Sequence, residues 1–240
     1  MALSVTHISY SNGQGGAGIA AARINSALIQ FGIYSKLGVA EDFNRNGESF
    51  IISGKSTVHS KIRARLLFEI ARYVYNDKNY HSFNILPSRV YRAINDLDSD
   101  LINLHWINRE LISYYEISKI SKPIFWTLHD MWPLLGSTHV ESNVSPQKFK
   151  QSTLGSQIDK FLNTQKSSRF RNNINWIAPS NWMRDRIVEK FSCDDREIAV
   201  IPNPIDTRLF KSLNPNDYTP RQNFYGESPT ILFGAAGGIN

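Results

Sequence analysis

The chain has 240 residues, enough for one large domain or one and a half ordinary ones, and its 41% hydrophobic and 12% aromatic content supports a sizeable core. The net charge of +6 and an isoelectric point near 9.4 favour anionic partners: phosphates, nucleotides, acidic lipid surfaces or nucleic acid. A single cysteine, Cys193, excludes an intramolecular disulfide, and no apolar run approaches the roughly 20 residues of a membrane span.

The N-terminus lacks a basic segment followed by an apolar one, so it reads as a first strand, residues 3–10, and not as a signal peptide. A tight glycine loop, Ser11-Asn-Gly-Gln-Gly-Gly-Ala-Gly18, leads into a helix over 19–31 with Ile24, Leu28 and Phe31 on one face. Gly32 stops that helix, and residues 33–39 form a second strand. This β-loop-α-β start argues for a parallel sheet. A short strand follows at 50–53. The spacing then predicts a helix over 59–75, with Ile62, Leu66, Ile70 and Val74 in a stripe and Lys61, Arg63, Arg65 and Arg72 on its other faces. Such a basic helix either rests on anionic lipid or presents an ordinary solvated face.

Pro87 opens a helix to residue 95. Residues 100–106 read as a strand ending on His105 and Trp106, and 110–119 as a helix. Residues 123–130 form the most informative strand: an apolar run with proline first, ending on His129 and Asp130 and broken by Trp132-Pro133. The polar text from 136 to 173 holds one helix around 156–164. A short buried strand begins at Asn175 and runs to a helix cap at Ser180, with a helix over 182–191, a strand over 198–201 and a turn at 202–206. Residues 209–229 look like a linker, and 230–238 like a fresh strand and glycine turn. Three segments are therefore expected: a Rossmann-like α/β domain over 1–208, the linker over 209–229, and the start of a further domain over 230–240. A strand with nothing after it cannot bury itself, so the chain reads as the front part of something longer.

In open α/β sheets, ligands bind outside the carboxyl ends of the strands. His105-Trp106 and His129-Asp130 would both stand at that edge, beside the glycine loop. His129 and Asp130 are able to handle protons or to hydrogen-bond sugar hydroxyls. The competing structural reading makes Asp130 a polar strand end that caps the next helix. Gly13, Gly15 and Gly18 satisfy G-x-G-x-x-G, with Glu41 and Asp42 near the end of the second strand, which is the dinucleotide fingerprint of an NAD(P)-dependent oxidoreductase. Common to both readings is that glycines let the backbone approach a ligand and that a helix N-terminus attracts negative charge. Metal-ligand spacings and a G-x-S-x-G elbow are missing, and Cys193 has no nearby histidine.

Five strings occur in order: Gly15-Gly-Ala-Gly18, Asn103-Leu-His-Trp106, Trp126-Thr-Leu-His-Asp-Met-Trp-Pro133, Ile177-Ala-Pro-Ser-Asn-Trp182 and Val200-Ile-Pro-Asn-Pro-Ile-Asp206. Together they resemble the N-terminal domain of retaining family 4 glycosyltransferases, most closely the bacterial colanic-acid and exopolysaccharide type. The resemblance implies the N-terminal half of a GT-B fold: a Rossmann-like parallel sheet with helices on both faces, holding mainly the acceptor. A hexose would pass from a nucleotide-diphosphate sugar to a saccharide or lipid-linked acceptor, with no cofactor, metal or nucleic acid needed. The expected place is the cytoplasm, with peripheral contact to an anionic inner membrane face. Matched by position, Gly15 and Gly16 belong to the loop at the donor diphosphate and the acceptor. His129 and Asp130 take the catalytic places, His105, Trp106 and Trp132 the acceptor side, and Asn203 and Asp206 the hinge. The chain departs from its relatives in two places. Gly136-Ser-Thr-His139 carries no cysteine, and Pro204 replaces a glycine.

Overall fold

The computed structural model describes residues 3–44, 47–52, 57–75, 77, 79–141 and 153–210, with side chains of the long central helix described from Lys61 onward. Seven strands form one sheet: β1 (Ser4–Asn12), β2 (Tyr34–Asp42), β3 (Ser49–Ile51), β4 (Leu101–Leu104), β5 (Ile124–Thr127), β6 (Asn175–Ala178) and β7 (Ala199–Val200). Their spatial order is β3-β2-β1-β4-β5-β6-β7, and every pairing is parallel. The chain runs outward from β1 to one edge and then returns to build the other half from β4. The switch point therefore lies between β1 and β4, the place where such sheets leave a crevice for a ligand. Ile8, Leu104 and Trp126 sit side by side across β1, β4 and β5; β4 and β5 end at or one residue past this row, whereas β1 runs on to Asn12.

Among the described residues five α-helices lie in the crossovers after β1, β3, β5 and β6: α1 (Gly15–Gln30), α2 (Thr57–Tyr75), α3 (Val90–Asn95), α4 (Thr153–Phe170) and α5 (Asn181–Phe191). Both sheet faces are covered. Leu37 and Val39 on β2 pack with Ala21 of α1, whereas Ala40, one residue on and so on the opposite face, joins the main core with Ile8, Ile102, Leu104 and Trp126. Stacked and edge-on contacts link Trp126, Trp176, Phe170 and Phe191 behind β5 and β6. The fold is thus the expected Rossmann-like α/β sheet. By compactness the chain divides after Pro204 into units of residues 1–204 and 205–240, and the expected linker and following strand lie almost wholly outside the described residues.

Several expected elements differ from those observed. The glycine loop is shorter, because β1 continues to Asn12 and Gly15–Gly18 already form the first turn of α1. The helix expected over 110–119 is instead a set of turns ending in a 3₁₀ turn at Ile117–Lys119. Arg109 and Glu110 adopt left-handed φ of 55° and 58°, which no α-helix accepts. The buried Glu110 carboxylate accepts from the Asn84 and Leu86 amides, while Glu116 accepts from Ser88, Arg89 and Ser113, so these carboxylates hold a neighbouring loop in place of helix formation. In α2, Ile62, Leu66 and Ile70 face solvent at 61%, 57% and 41% exposure; Ala71, Val74 and Tyr75 make its core contacts. Ser180 caps α5 as expected, its hydroxyl accepting from the Met183 amide at 3.3 Å.

Candidate active site

A hollow of about 340 Å³ opens at the carboxyl ends of β1, β4 and β5, lined by Tyr10, Ser11, residues 14–18, Trp106, Arg109, His129 and Asp130. Another surface depression, near Lys122 and Asn175, holds about 260 Å³ and lies at the amino ends of β5 and β6, away from these groups. The hollow's floor is set by glycine. Gly15 takes φ +69°, a conformation that strains any residue with a Cβ. A Cβ on Gly18 would stand 2.6 Å from the Ser11 hydroxyl and 2.7 Å from the Ser11 carbonyl, so α1 approaches β1 only because this position is bare. The first turn of α1 contains no acidic side chain, and its free amides point their positive end toward the hollow's floor.

Asp130 is held by three donors. Its Oδ1 accepts from the Trp132 amide at 3.0 Å, and its Oδ2 accepts from Trp106 Nε1 at 2.7 Å and meets His139 Nδ1 at 2.5 Å. The first bond closes a local turn, and residues 131–141 contain no helix for Asp130 to cap; the other two bonds aim the carboxylate across the hollow. His139 Nε2 in turn meets the Ser82 hydroxyl at 2.9 Å. The loop carrying these groups is pinned from behind. The Met131 amide donates to the His139 carbonyl, and Ser137 donates to Asp159. The buried Lys166 ammonium donates to the Trp132 and Gly136 carbonyls and lies 4.0 Å from the Trp132 ring centre. Burial pushes the Lys166 pKa well down.

His129 lines the hollow and passes Nε2 to His105 Nδ1 at 2.8 Å; His105 Nε2 continues to His7 Nδ1 at 2.9 Å. Burial lowers the pKa of His129 to about 4, with Asp130 opposing the shift, and that of His7 to about 4. His105 is pushed well down as well, by burial first and then by its two histidine neighbours. All three rings are neutral at pH 7. Arg109 supplies the positive charge, its guanidinium 5.1 Å from the Tyr10 ring centre.

The structure therefore brings Gly15, Gly16, Trp106, His129 and Asp130 to one wall. His105 stands behind His129, 2% exposed. Trp132 does not line the hollow: it is fully buried, with Nε1 donating to the Ser82 carbonyl, so it cannot reach an acceptor. Asn203 is exposed in the turn after β7, and Asp206, in the second unit, is bound to Arg208. The carboxylates of the dinucleotide fingerprint are already engaged. Glu41 pairs with Lys61 at 2.8 Å, and Asp42 accepts from Asn12 and Ser49. Among the described residues no group of three or more His, Cys, Asp or Glu side chains is placed to hold a metal ion, and no helix is long and apolar enough to cross a membrane.

Residues 43–209 match the profile described as Glycosyltransferase Family 4. The chain belongs to glycosyltransferase family 4. No curated protein matches it. This family 4 chain is similar to the crystal structure of Anabaena Alr3699/HepE in complex with UDP, at 15% identity and a TM-score of 0.44, over 90% of this chain and 48% of that one. It is also similar to a glycosyltransferase from Rickettsia africae ESF-5, at 13% identity and a TM-score of 0.40, over 90% of this chain and 47% of that one. The family 4 chain thus spans about half the length of each. The matched family is one of glycosyltransferases and not of oxidoreductases, although the match begins after the glycine loop.

Sequence reading did not single out Arg109, Ser82, His7 or the bond from His139 to Asp130. Arg109 gives no signal, since its place depends on a left-handed turn. His7 does give one: with Thr6 it interrupts the apolar text of a central strand.

Proposed function

We propose that this domain is the acceptor-side half of a retaining GT-B glycosyltransferase that moves a hexose from a nucleotide-diphosphate sugar to a saccharide or lipid-linked acceptor in surface polysaccharide synthesis. The observation that carries the reading is the convergence, at the switch point of a family 4 sheet, of the α1 N-terminus, Arg109, His129 and Asp130 around one hollow. Each group suits a step of that chemistry. The helix N-terminus and the guanidinium favour the negative charge that builds on a departing diphosphate. His129, neutral at pH 7, hydrogen-bonds the reacting sugar without adding charge. Asp130, fixed by Trp106 and His139, orients a sugar hydroxyl. Trp106 offers an apolar face for a pyranose ring. No metal or cofactor is invoked.

Titration calorimetry of the chain with UDP- and GDP-sugars against NADH tests the reading. Binding of a nucleotide sugar, weakened when Gly15 is replaced by valine, supports it; binding of NADH alone overturns it. The domain alone is expected to turn over little, because the donor is held mainly by the other half, and robust transfer by residues 1–240 would contradict that division of labour.

The acceptor and the membrane enter through α2. Its outward Ile62, Leu66 and Ile70 lie on a helix that also carries Lys61, Arg63, Arg65 and Arg72, the pattern of a helix lying in an anionic interface. Flotation with vesicles containing anionic lipid should recover the chain. An Ile62→Ser, Leu66→Ser pair should lose that recovery, and equal recovery of both would remove the membrane contact.

A further inference from the structure

His7, His105 and His129 form a continuous string from inside β1 to the hollow, Nδ1 of His7 to Nε2 of His105 at 2.9 Å and Nδ1 of His105 to Nε2 of His129 at 2.8 Å. The rings follow one another at centre distances of 5.2 and 5.1 Å, the last two nearly parallel. A neutral imidazole carries one N–H and one lone pair. Two hydrogen bonds through three such rings therefore run either inward or outward, and the choice fixes every tautomer at once.

The inner end decides the direction. Nε2 of His7 is buried and has no hydrogen-bond partner among the described residues. If the string ran inward, His129 would donate to His105, His105 to His7, and His7 would be left with a buried N–H facing nothing. Leaving such a buried donor without a partner forfeits its hydration with nothing in return. If it runs outward, the orphan is a lone pair, which buried sites tolerate more often. A protonated ring within the string would also force an orphan N–H at its inner end or a like-charge clash, and burial keeps all three neutral.

We propose that His7 and His105 are positioning residues that lock His129 as the Nδ1–H tautomer, so that His129 offers the hollow a hydrogen-bond donor and takes from a ligand only an acceptor oxygen. Nδ1 is the ring atom left to do so, because Nε2 is engaged by His105, whereas Nδ1 has no protein partner among the described residues and is not sealed from solvent. The α1 amides, the Arg109 guanidinium and the His129 N–H then present three kinds of donor to one space, a complement for phosphate or sugar oxygens. A His129 in this state is not the base that deprotonates an acceptor hydroxyl; that proton must leave by another group. The identity of the oxygen rests on the glycosyltransfer reading, but the tautomer does not.

The test is ¹⁵N NMR of the histidine-labelled chain at neutral pH, with long-range ¹H–¹⁵N correlations assigning each ring nitrogen. The expected result is a pyrrole-type Nδ1 and a pyridine-type Nε2 at His129, repeated at His105 and His7. A pyrrole-type Nε2 at His129, or rapidly averaged shifts at both nitrogens, overturns the proposal. In His7→Leu the string loses its terminal donor and His129 should show averaged shifts; in His7→Asn, whose side-chain amide replaces Nδ1 as donor, the wild-type pattern should return. Unchanged His129 shifts in a folded His7→Leu protein would remove His7 from the positioning role, and if that variant does not fold the wild-type spectrum alone decides. No substrate is needed, so failure here and failure of the glycosyltransfer reading are separate results.

Discussion

At the scale of single residues, the site depends on side chains that are held rather than free. Asp130 has both oxygens engaged by protein donors, and in the proposed function it would act by direction. Removing His139 would leave one of those contacts open. His139→Ala is therefore expected to lower transfer about tenfold while leaving global stability within about 1 kcal/mol of wild type, apart from the lost Ser82 contact. Urea denaturation of the chain, in parallel with kcat/KM of a polypeptide that joins it to a donor-binding half, checks this, and a loss of activity fully explained by unfolding would contradict it. Gly18→Ala belongs to the same scale. The added methyl would have to displace backbone and hydroxyl of Ser11, for a cost of roughly 1–3 kcal/mol, read as a lowered urea midpoint at unchanged slope.

At the scale of elements, periodicity and breakers identify nearly every strand and helix that positions the site. β1, β2, β5 and α5 are legible because their apolar runs are bounded by glycine, proline or a capping serine, and β4 because its apolar run lies between Asp100 and His105. Ser180→Ala should lower stability by about 1 kcal/mol through loss of its bond to the Met183 amide, measurable by thermal denaturation. The stretch 110–119 misleads for a physical reason. Glu110 and Glu116 look like helix residues on a pattern of apolar neighbours, but their carboxylates are committed to amides more than 20 positions away. Local sequence does not carry that information. The same holds for the site. The strand-end pairs His105-Trp106 and His129-Asp130 can be placed from sequence because strand ends are local. The placement of Arg109, the link from Asp130 through His139 to Ser82, and the extension of the string to His7 require tertiary packing. Trp132 falls on the acceptor side if judged by its neighbours in sequence, yet the turn that Asp130 makes with its amide sends the indole into the core.

At the scale of the whole molecule, buried titrating groups tie stability to pH. His7 and His129 have folded pKa values near 4 against about 6.5 when unfolded, so the unfolded chain binds more protons between these values and stability falls as the pH falls through that window. His105 adds to the same trend. Glu110 opposes it: burial raises its pKa to about 7, so the folded state binds the extra proton and gains stability on acidification. Three imidazoles against one carboxyl leave acid destabilisation as the net outcome. Urea midpoints should decline steadily from pH 7 to about pH 4.5, a range above the pKa of the depressed carboxylates Asp100 and Asp194. A flat profile over that range would mean the three rings are not buried as a neutral string.

The parallel sheet, its switch point and the groups gathered there support the proposal that sugar transfer takes place at the hollow beside His129. Transfer from a nucleotide sugar by a polypeptide that joins this domain to its donor-binding half is the measurement closest to that claim, comparing wild type with His129→Ala. The account predicts a fall in kcat on the order of 100-fold with donor affinity largely retained. Equal turnover by the two proteins would contradict it.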